Sequence, residues 1–324
     1  MESNWRLEKA LKRVSILDTI GCSLHRRSSG LKIGILTRNE NSYSVTQLKD
    51  AFRKRGFEAF CFSFKDVVVH IKDREYFFCR GVNLLNDLHA VFVRPIGRGS
   101  LEEILFQINL LHRLCANGMT VVNHPKAIEV AVDKYYTSSI LRSNGIPVPE
   151  SVVTENVREG LRGFRRLSGE VVVKPLFGSR GIGISYFTDK DVVERVLRTL
   201  EFHRHVLYLQ RFIPHGSSDL RAFVIGGRVV AAMRRVSDSW KNNISQGARP
   251  SAVQLTKEVE DLAIRSAGAL GCEVAGVDII DGPDGPVVVE VNSQPGWRGI
   301  QQVSKISIAE KVAEYLARKI SGGA

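Results

Sequence analysis

The residues best able to do chemistry lie near the C-terminus, in Val287-Val-Val-Glu-Val-Asn292. Glu290 and Asn292 stand two apart, so a strand turns both side-chain oxygens to one face and Val289 and Val291 to the other. Asp278 belongs to the preceding apolar segment Gly276–Ile280, and a hairpin closed at Asp281-Gly-Pro-Asp-Gly-Pro286 brings it alongside. Three hard oxygen ligands without a histidine or thiolate suit Mg2+, which keeps several waters and completes its octahedron with substrate phosphates. Upstream, Lys174 ends the apolar run Val171–Lys174 and stands four residues ahead of Gly178-Ser-Arg-Gly-Ile-Gly183. A lysine on a buried strand needs an anion. A glycine-rich loop supplies unhindered backbone N–H groups that wrap phosphate oxygens.

The loop is not a Walker loop, because no Gly-Lys-Ser/Thr follows, and its G-x-x-G-x-G spacing is not the dinucleotide fingerprint. Apolar residues flank it on both sides, Val171–Val173 before and Ile184, Tyr186 and Phe187 after, so it reads as a hairpin lid. Lys134, in Asp133-Lys-Tyr-Tyr136, is a candidate second phosphate contact, against the plain alternative of a solvated helix lysine. Asp219-Leu-Arg221 sets an acid and an arginine on one strand face, with Arg221 placed to carry negative charge developing on a transferring phosphoryl group. Lys241-Asn-Asn243 lies in a polar loop. His203 and His205 lack a third ligand and read as surface, and no G-x-S-x-G elbow or Cys–His pair suggests a covalent nucleophile.

The elements that must position these groups follow from periodicity. Strands at Leu31–Leu36, Phe57–Phe64, Ala90–Val93 and Thr120–Val122 alternate with helices at Val45–Arg55 and from Leu101 to Leu114, which implies a parallel, doubly wound sheet. A helix over Ala131–Ser143 ends at the turn-rich Asn144–Pro149. Beyond it come a strand at Glu170–Lys174, a helix at Asp189–Glu201, a hairpin around Gly226-Gly227, a helix at Lys257–Leu270, and the closing strands Gly276–Ile280 and Val287–Val291. Ahead of all this, Trp5, Leu7, Leu11, Val14 and Leu17 form a helical stripe, read as an appended helix and linker. The fold class is thus α/β followed by α+β.

Composition narrows the function classes. With 324 residues, 44% hydrophobic and 25% charged, the chain holds two or three packed subdomains and is neither disordered nor fibrous. Cysteines at 22, 61, 79, 115 and 272 form no C-x-x-C pair, so neither a disulfide framework nor a zinc site is indicated, and a cytoplasmic location is expected. No apolar run reaches the roughly 20 residues that span a bilayer, so no membrane partner is expected. The net charge of +12 attracts phosphates and polyanions, although solubility alone explains such an excess equally well.

Read as an ordered set, Val172–Pro175, Gly178–Gly183, Gln210-Arg-Phe-Ile213, Asp219-Leu-Arg221, Ala275-Gly-Val-Asp278 and Glu290-Val-Asn-Ser-Gln-Pro-Gly296 resemble the ATP-grasp superfamily, and within it the RimK-type amino-acid ligases. The resemblance spans roughly residues 31–320. It implies an N-terminal extension (1–30), a doubly wound pre-grasp domain (31–127), an α+β subdomain with the glycine-rich lid (128–205) and a second α+β subdomain with the Mg site (206–324), the last two enclosing ATP. Carried over residue by residue, Lys134, Lys174 and the loop Gly178, Ser179, Arg180, Gly181 and Gly183 hold phosphates. Gln210, Arg211, Phe212 and Ile213 line the adenine pocket, and Asp219 contacts nucleotide. Arg221, Lys241 and Asn243 face the reacting phosphoryl group, and Asp278, Glu290 and Asn292 bind two Mg2+ ions, with Mn2+ an acceptable substitute. Two positions depart from the pattern: Arg211 stands where relatives commonly have Glu, and Lys241 where they often have Arg, which loses a bidentate grip.

Val93-Arg-Pro-Ile-Gly-Arg-Gly-Ser-Leu-Glu-Glu103 and Val122-Asn-His-Pro125 are especially similar to the archaeal-type ligases that add L-glutamate to tetrahydromethanopterin. The resemblance implies an acyl phosphate formed from ATP and a substrate carboxylate, then attacked by the amine of glutamate. The partners are L-glutamate and an anionic small-molecule acceptor, for which Arg94, Arg98 and Arg298 are candidate contacts. A homo-oligomer is compatible with the sequence, and nucleic acid is not expected. Two alternatives stay open: a ligase acting on a protein C-terminus or a deazaflavin coenzyme, and a non-catalytic nucleotide binder associating with RNA or ribosomes, against which the full metal triad argues.

Overall fold

The structure, a computed structural model, describes residues 30–178, 181–238, 240, 244 and 247–322. The helix expected near the N-terminus lies outside the described residues. β1 (Lys32–Leu36) and β2 (Glu58–Phe62) are joined by the helix Tyr43–Lys54, which buries Val45, Leu48, Ala51 and Phe52 at helical spacing. The chain then leaves the sheet for a three-stranded antiparallel excursion, β3 (Val67–Ile71), β4 (Glu75–Cys79) and β5 (Val82–Asn83). The second strand, expected to run to Phe64, is shorter, and the excursion was not expected from the sequence. In fact Ser63 caps a short 3-10 turn with Asp66 and ends β2 at Phe62.

The first sheet resumes with β6 (Ala90–Val93), the helix Leu101–Ala116 and β7 (Val121–Val122). Ser100 starts that helix through a capping box with Glu103. All pairings are parallel in the order β2-β1-β6-β7. Residues of the helix Tyr43–Lys54 pack with Ile33, Ile35 and Phe92, whereas Ile108, Leu111 and Leu114 pack with Leu36, Val91 and Val93. The two helices therefore cover opposite faces, as a doubly wound sheet requires.

The helix expected over Ala131–Ser143 is two helices, Pro125–Val132 and Lys134–Ser143. Asp133 separates them because its carboxylate accepts from the Tyr136 N–H and caps the second helix. β8 (Ser151–Thr154), the helix Val157–Arg166, β9 (Val171–Lys174), β10 (Ser185–Phe187), the helix Lys190–Phe202 and β11 (Leu207–Arg211) form an antiparallel sheet in the order β10-β9-β11-β8. β11 completes this sheet, which thus runs to Arg211. Val171, Val173, Leu207 and Leu209 join Val157, Phe164, Val193 and Leu197 in its core. Strand alternation leaves Lys174 and Gln210 on the opposite face.

The third layer begins with β12 (Ser218–Ile225) and β13 (Arg228–Val236), which turn at Gly226 and Gly227 with φ of 55° and 74°, the left-handed pair a tight hairpin demands. β14 (Arg249–Ala252), the helix Lys257–Ala269, β15 (Val274–Gly282) and β16 (Gly285–Asn292) complete an antiparallel sheet in the order β14-β13-β12-β15-β16. The helix Lys257–Ala269 seals one face through Val259, Leu262 and Ala263. The final helix, Ile308–Ile320, returns to pack Ile308, Val312 and Leu316 with Val45, Leu48 and Phe52. Among the described residues no helix is long and apolar enough to cross a membrane.

Candidate active site

One cleft collects most of the residues singled out from the sequence. Lys134, Lys174, Gly178, Gly181, Gln210, Arg211, Phe212, Ile213, Asp219, Asp278 and Glu290 all line it. Ser179, Arg180, Lys241 and Asn243 lie outside the described residues. Gly183 has φ of 77° and closes the lid hairpin between β9 and β10, which pair antiparallel with Ser185 opposite Val173.

On the side of the cleft formed by β9, β11 and the start of the helix Lys134–Ser143, the two lysines have neutral partners. Lys174 Nζ donates to Gln210 Oε1 at 2.5 Å, and Lys134 Nζ donates to the Gly178 carbonyl at 3.1 Å. Gln210 is itself oriented, its amide nitrogen donating to Tyr208 Oη at 3.2 Å. Burial pushes the Lys174 ammonium down to about 8; Glu290 and Asp278 oppose that shift and Lys134 adds to it. Arg211 is drawn away by Glu150 at 2.5 Å, and the backbone N–H groups of Arg211 and Phe212 donate to the Glu150 and Glu170 carbonyls.

On the β12–β16 wall the charges pair with one another across the strands. Asp219 stands opposite Arg235, Arg221 opposite Asp278, and Asp278 opposite Glu290. Arg235 grips Asp219 at 2.6 Å through both Nε and Nη2, and Arg221 grips Asp278 at 2.6 and 2.7 Å. Arg235 Nη2 also lies 3.2 Å from Asp278, so four charges form one chain. Burial would raise Asp278, but Arg221 and Arg235 outweigh it and hold that carboxyl below its ordinary range. Asp219 is pushed up to about 6 by burial, which its share of Arg235 only partly offsets.

Two β-bulges set these juxtapositions. Ile225 pairs with Arg228 and Val224 with Val229, a register that extends to Asp219 opposite Arg234; the irregularity at Phe223/Val224 moves Arg235 there instead. Likewise Ile279 pairs with Val288, and the bulge next to Asp278 brings Glu290 opposite it rather than Val289. The strict alternation expected of β16 fails for the same reason. Val288 and Val291 enter the core, whereas Val289 lines the cleft beside Glu290.

Asp278, Glu290 and the Asn292 amide oxygen are chemically suited to a hard divalent cation. Among the described residues no group of three or more His, Cys, Asp or Glu side chains is placed to hold a metal, so an ion here would draw further oxygens from water or from a bound ligand. Asn292 donates its amide nitrogen to the Gly276 carbonyl at 3.4 Å, which leaves Oδ1 as its acceptor. Sequence reasoning missed Arg235 and the aromatic end of the cleft. There Phe212 lies 4.5 Å from Tyr186 and 6.0 Å from Trp240, ring centre to ring centre. His215 lies between the Ile213 and Trp240 carbonyls, with Nδ1 at 2.7 Å from the first and Nε2 at 3.1 Å from the second.

The other candidate arginines sit elsewhere. Arg94 is buried, donating to the Pro295 carbonyl and Ser44 Oγ; Arg98 is exposed after β6; Arg298 lies over the Tyr43 ring.

Residues 31–128 match the RimK PreATP-grasp domain, and residues 131–316 match the RimK-like ATP-grasp domain. The chain belongs to the RimK-like ATP-grasp family. This ATP-grasp ligase is 34% identical over 319 residues to the tetrahydromethanopterin:alpha-L-glutamate ligase of Methanosarcina acetivorans, covering 88% of this chain and 98% of that protein. It is 38% identical to the protein of the same name from Methanocaldococcus jannaschii over 74% of this chain and 82% of the relative. A probable alpha-L-glutamate ligase of Rhodopirellula baltica is 30% identical over 90% of this chain and 72% of its own. Among solved structures, the ATP-grasp ligase PsnB complexed with minimal precursor gives a TM-score of 0.72 at 21% identity, covering 90% of this chain and 99% of that one. A RimK domain ATP-grasp protein from Sphaerobacter thermophilus gives 0.70 at 21% identity, covering 88% and 98%. These likenesses establish the ATP-grasp fold with its pre-grasp N-terminal domain, as the sequence implied.

Proposed function

We propose that this ligase joins L-glutamate to a carboxylate of a tetrahydromethanopterin-like pterin, through an acyl phosphate, with release of ADP and phosphate. The observation that carries the reading is the meeting of Lys134, Lys174, Asp278 and Glu290 in one cleft beneath a glycine hairpin. Cations on one wall and hard oxygens on the other are what a polyphosphate with its metal requires. The relatives named for glutamate ligation support the choice of amino acid.

In this reading Lys134, Lys174 and the loop 178–183 hold the phosphates, and Asp219 contacts the nucleotide. The aromatic end at Phe212, with Gln210, Arg211 and Ile213, takes the base. Asp278, Glu290 and Asn292 hold Mg2+, two ions at full occupancy with Mn2+ as a substitute, and the metal supplies charge neutralisation when bound. No protein nucleophile is needed, so catalysis rests on alignment and electrostatic stabilisation. Arg221, Lys241 and Asn243 face the reacting group, and Arg235, buried between two carboxylates, fixes the position of Asp278. Arg94, Arg98 and Arg298 serve the anionic acceptor. A second reading keeps the glutamate ligase and changes the acceptor, because the Rhodopirellula relative carries that broader name.

The test is incubation with ATP, Mg2+, L-glutamate and each acceptor in turn: tetrahydromethanopterin, a deazaflavin coenzyme and a peptide ending in glutamate. A mass increase of one glutamyl residue on the pterin is expected. The same increase on another acceptor alone replaces the pterin, and none on any acceptor removes the ligase reading.

A further inference from the structure

The helices that follow β1 and β6 leave to opposite faces of the first sheet, so the C-terminal ends of these strands open a crevice at a topological switch point. Sheets of this kind hold ligands there. Four arginines stand on the segments that border this place: Arg38 after β1, Arg94 and Arg98 after β6, and Arg298 just beyond β16. Arg38 Nη1 donates to the Arg98 carbonyl at 3.3 Å, and Arg94 Nη1 donates to the Pro295 carbonyl at 3.0 Å. Arg94 Nη2 reaches Ser44 Oγ at 3.2 Å, and Arg298 lies 5.8 Å from the ring of the adjacent Tyr43.

The cluster lacks counter-charge. No described carboxylate approaches any of the four guanidinium groups within 4.0 Å. The nearby Glu103 instead accepts from the Ser100 N–H at 2.9 Å. Arg94 is 4% exposed, with only backbone, hydroxyl and aromatic partners.

Three buried N–H donors without an acceptor lie at the same junction: Arg94 Nε, Gln294 Nε2 and Trp297 Nε1. Trp297 is 1% exposed and stacks 4.6 Å from the Arg94 guanidinium, while Gln294 Oε1 accepts from Ile96 N at 3.3 Å. Buried donors and a buried guanidinium without a counter-charge carry a desolvation cost that an anion relieves. The loop is also shaped for it. Gly97 has φ of 92°, and a Cβ there would fall 2.0 Å from Arg38 Nη1, so only glycine lets that guanidinium lie across the loop.

We propose that this crevice binds a non-reacting carboxylate of a ligase substrate, held by Arg38, Arg94, Arg98 and Arg298. The proposal rests on the ligase reading and adds the substrate group and the place that receives it. Gln294 is two residues beyond Asn292, so at most about 7 Å of extended chain separates the crevice from the metal-binding strand. A carboxylate anchored here therefore leaves the rest of the same molecule within reach of the phosphates. Guanidinium forks match carboxylate geometry, and the reaction offers two sources: glutamate, whose α- and γ-carboxylates both stay out of the reaction, or a second carboxylate on the acceptor.

Calorimetry with L-glutamate and with glutarate, each in the presence of Mg2+ and a non-hydrolysable ATP analogue, tests it. The protein should bind at least one probe, and the exposed-site double variant Arg38→Gln/Arg298→Gln should lose at least about tenfold in affinity for it. Binding of the ATP analogue should be unchanged, which separates loss of the crevice from loss of the fold. Binding of glutamate alone identifies the amino acid as the source, binding of glutarate alone identifies the acceptor side, and binding of both, lost together, supports a carboxylate crevice open to either. A protein that binds neither probe, or a double variant that binds as the parent does, overturns the proposal. Glutamate-dependent ADP release by the unaltered protein is scored separately, so failure of the ligase reading is distinguishable.

Discussion

The two walls of the cleft solve opposite electrostatic problems. On the wall formed by β9, β11 and the start of the helix Lys134–Ser143, Lys174 and Lys134 are held by an amide oxygen and a backbone carbonyl, so their charge is oriented without being cancelled. On the β12–β16 wall, Asp219, Arg235, Asp278 and Arg221 cancel one another in a buried chain. The first wall presents positive charge to an incoming polyanion. The second fixes its acids rigidly, which suits a metal that tolerates little departure from octahedral geometry.

The comparison breaks first at Glu290. Glu290→Gln preserves shape but removes one anionic ligand, so ligation should be lost while the melting temperature stays near that of the parent. Near-normal turnover at saturating Mg2+ would take Glu290 out of the metal site. Next comes the chain of charges: Asp278→Ala leaves Arg221 without its carboxylate and Arg235 with Asp219 alone, and should cost about 3–5 kcal/mol in urea unfolding. Breaking the exposed Arg198–Glu194 pair should cost only about 0.3–0.5 kcal/mol. Equal costs would mean that the buried chain has no special standing.

On the other wall Lys174→Met keeps the apolar stem and deletes the charge, so ATP affinity should fall by about 1.5–3 kcal/mol in calorimetry. An unchanged dissociation constant would leave Lys174 a packing residue. A smaller effect is read against pH. Burial holds the free Lys174 amine at about 8, so if Lys174 meets the phosphates as proposed, nucleotide binding should take up a proton above that pH. Affinity should be flat below about pH 8 and fall by up to about tenfold per unit above it. The Lys174→Met protein should lose this component of the profile.

The walls also differ in how far they are legible in sequence. Lys174 and the glycine loop are contiguous, so strand period and turn chemistry suffice to place them. Asp278 and Glu290 are separated by twelve positions, yet the glycine- and proline-rich turn between them fixes the hairpin. Arg235 was out of reach because two adjacent arginines compete for the place opposite Asp219, and a bulge at Phe223/Val224, which no residue type announces, selects the second. The Val289 error has the same origin in the bulge beside Asp278. The aromatic end depends on Trp240 and Tyr186 meeting Phe212 from separate segments, a tertiary contact that local periodicity does not encode. The excursion β3–β5 escaped because its strands are five residues or shorter and mostly half-buried or exposed, too few positions to show a period.

If both walls converge on the terminal phosphates of ATP, as proposed, the substrate carboxylate attacks the γ-phosphorus. The most direct measurement separates the nucleotide products of a glutamate-dependent turnover by chromatography and counts them against amide formed. The account predicts one ADP and one phosphate per amide, dependent on both glutamate and acceptor. AMP and pyrophosphate as stoichiometric products would contradict it, and so would ADP release that ignores both substrates.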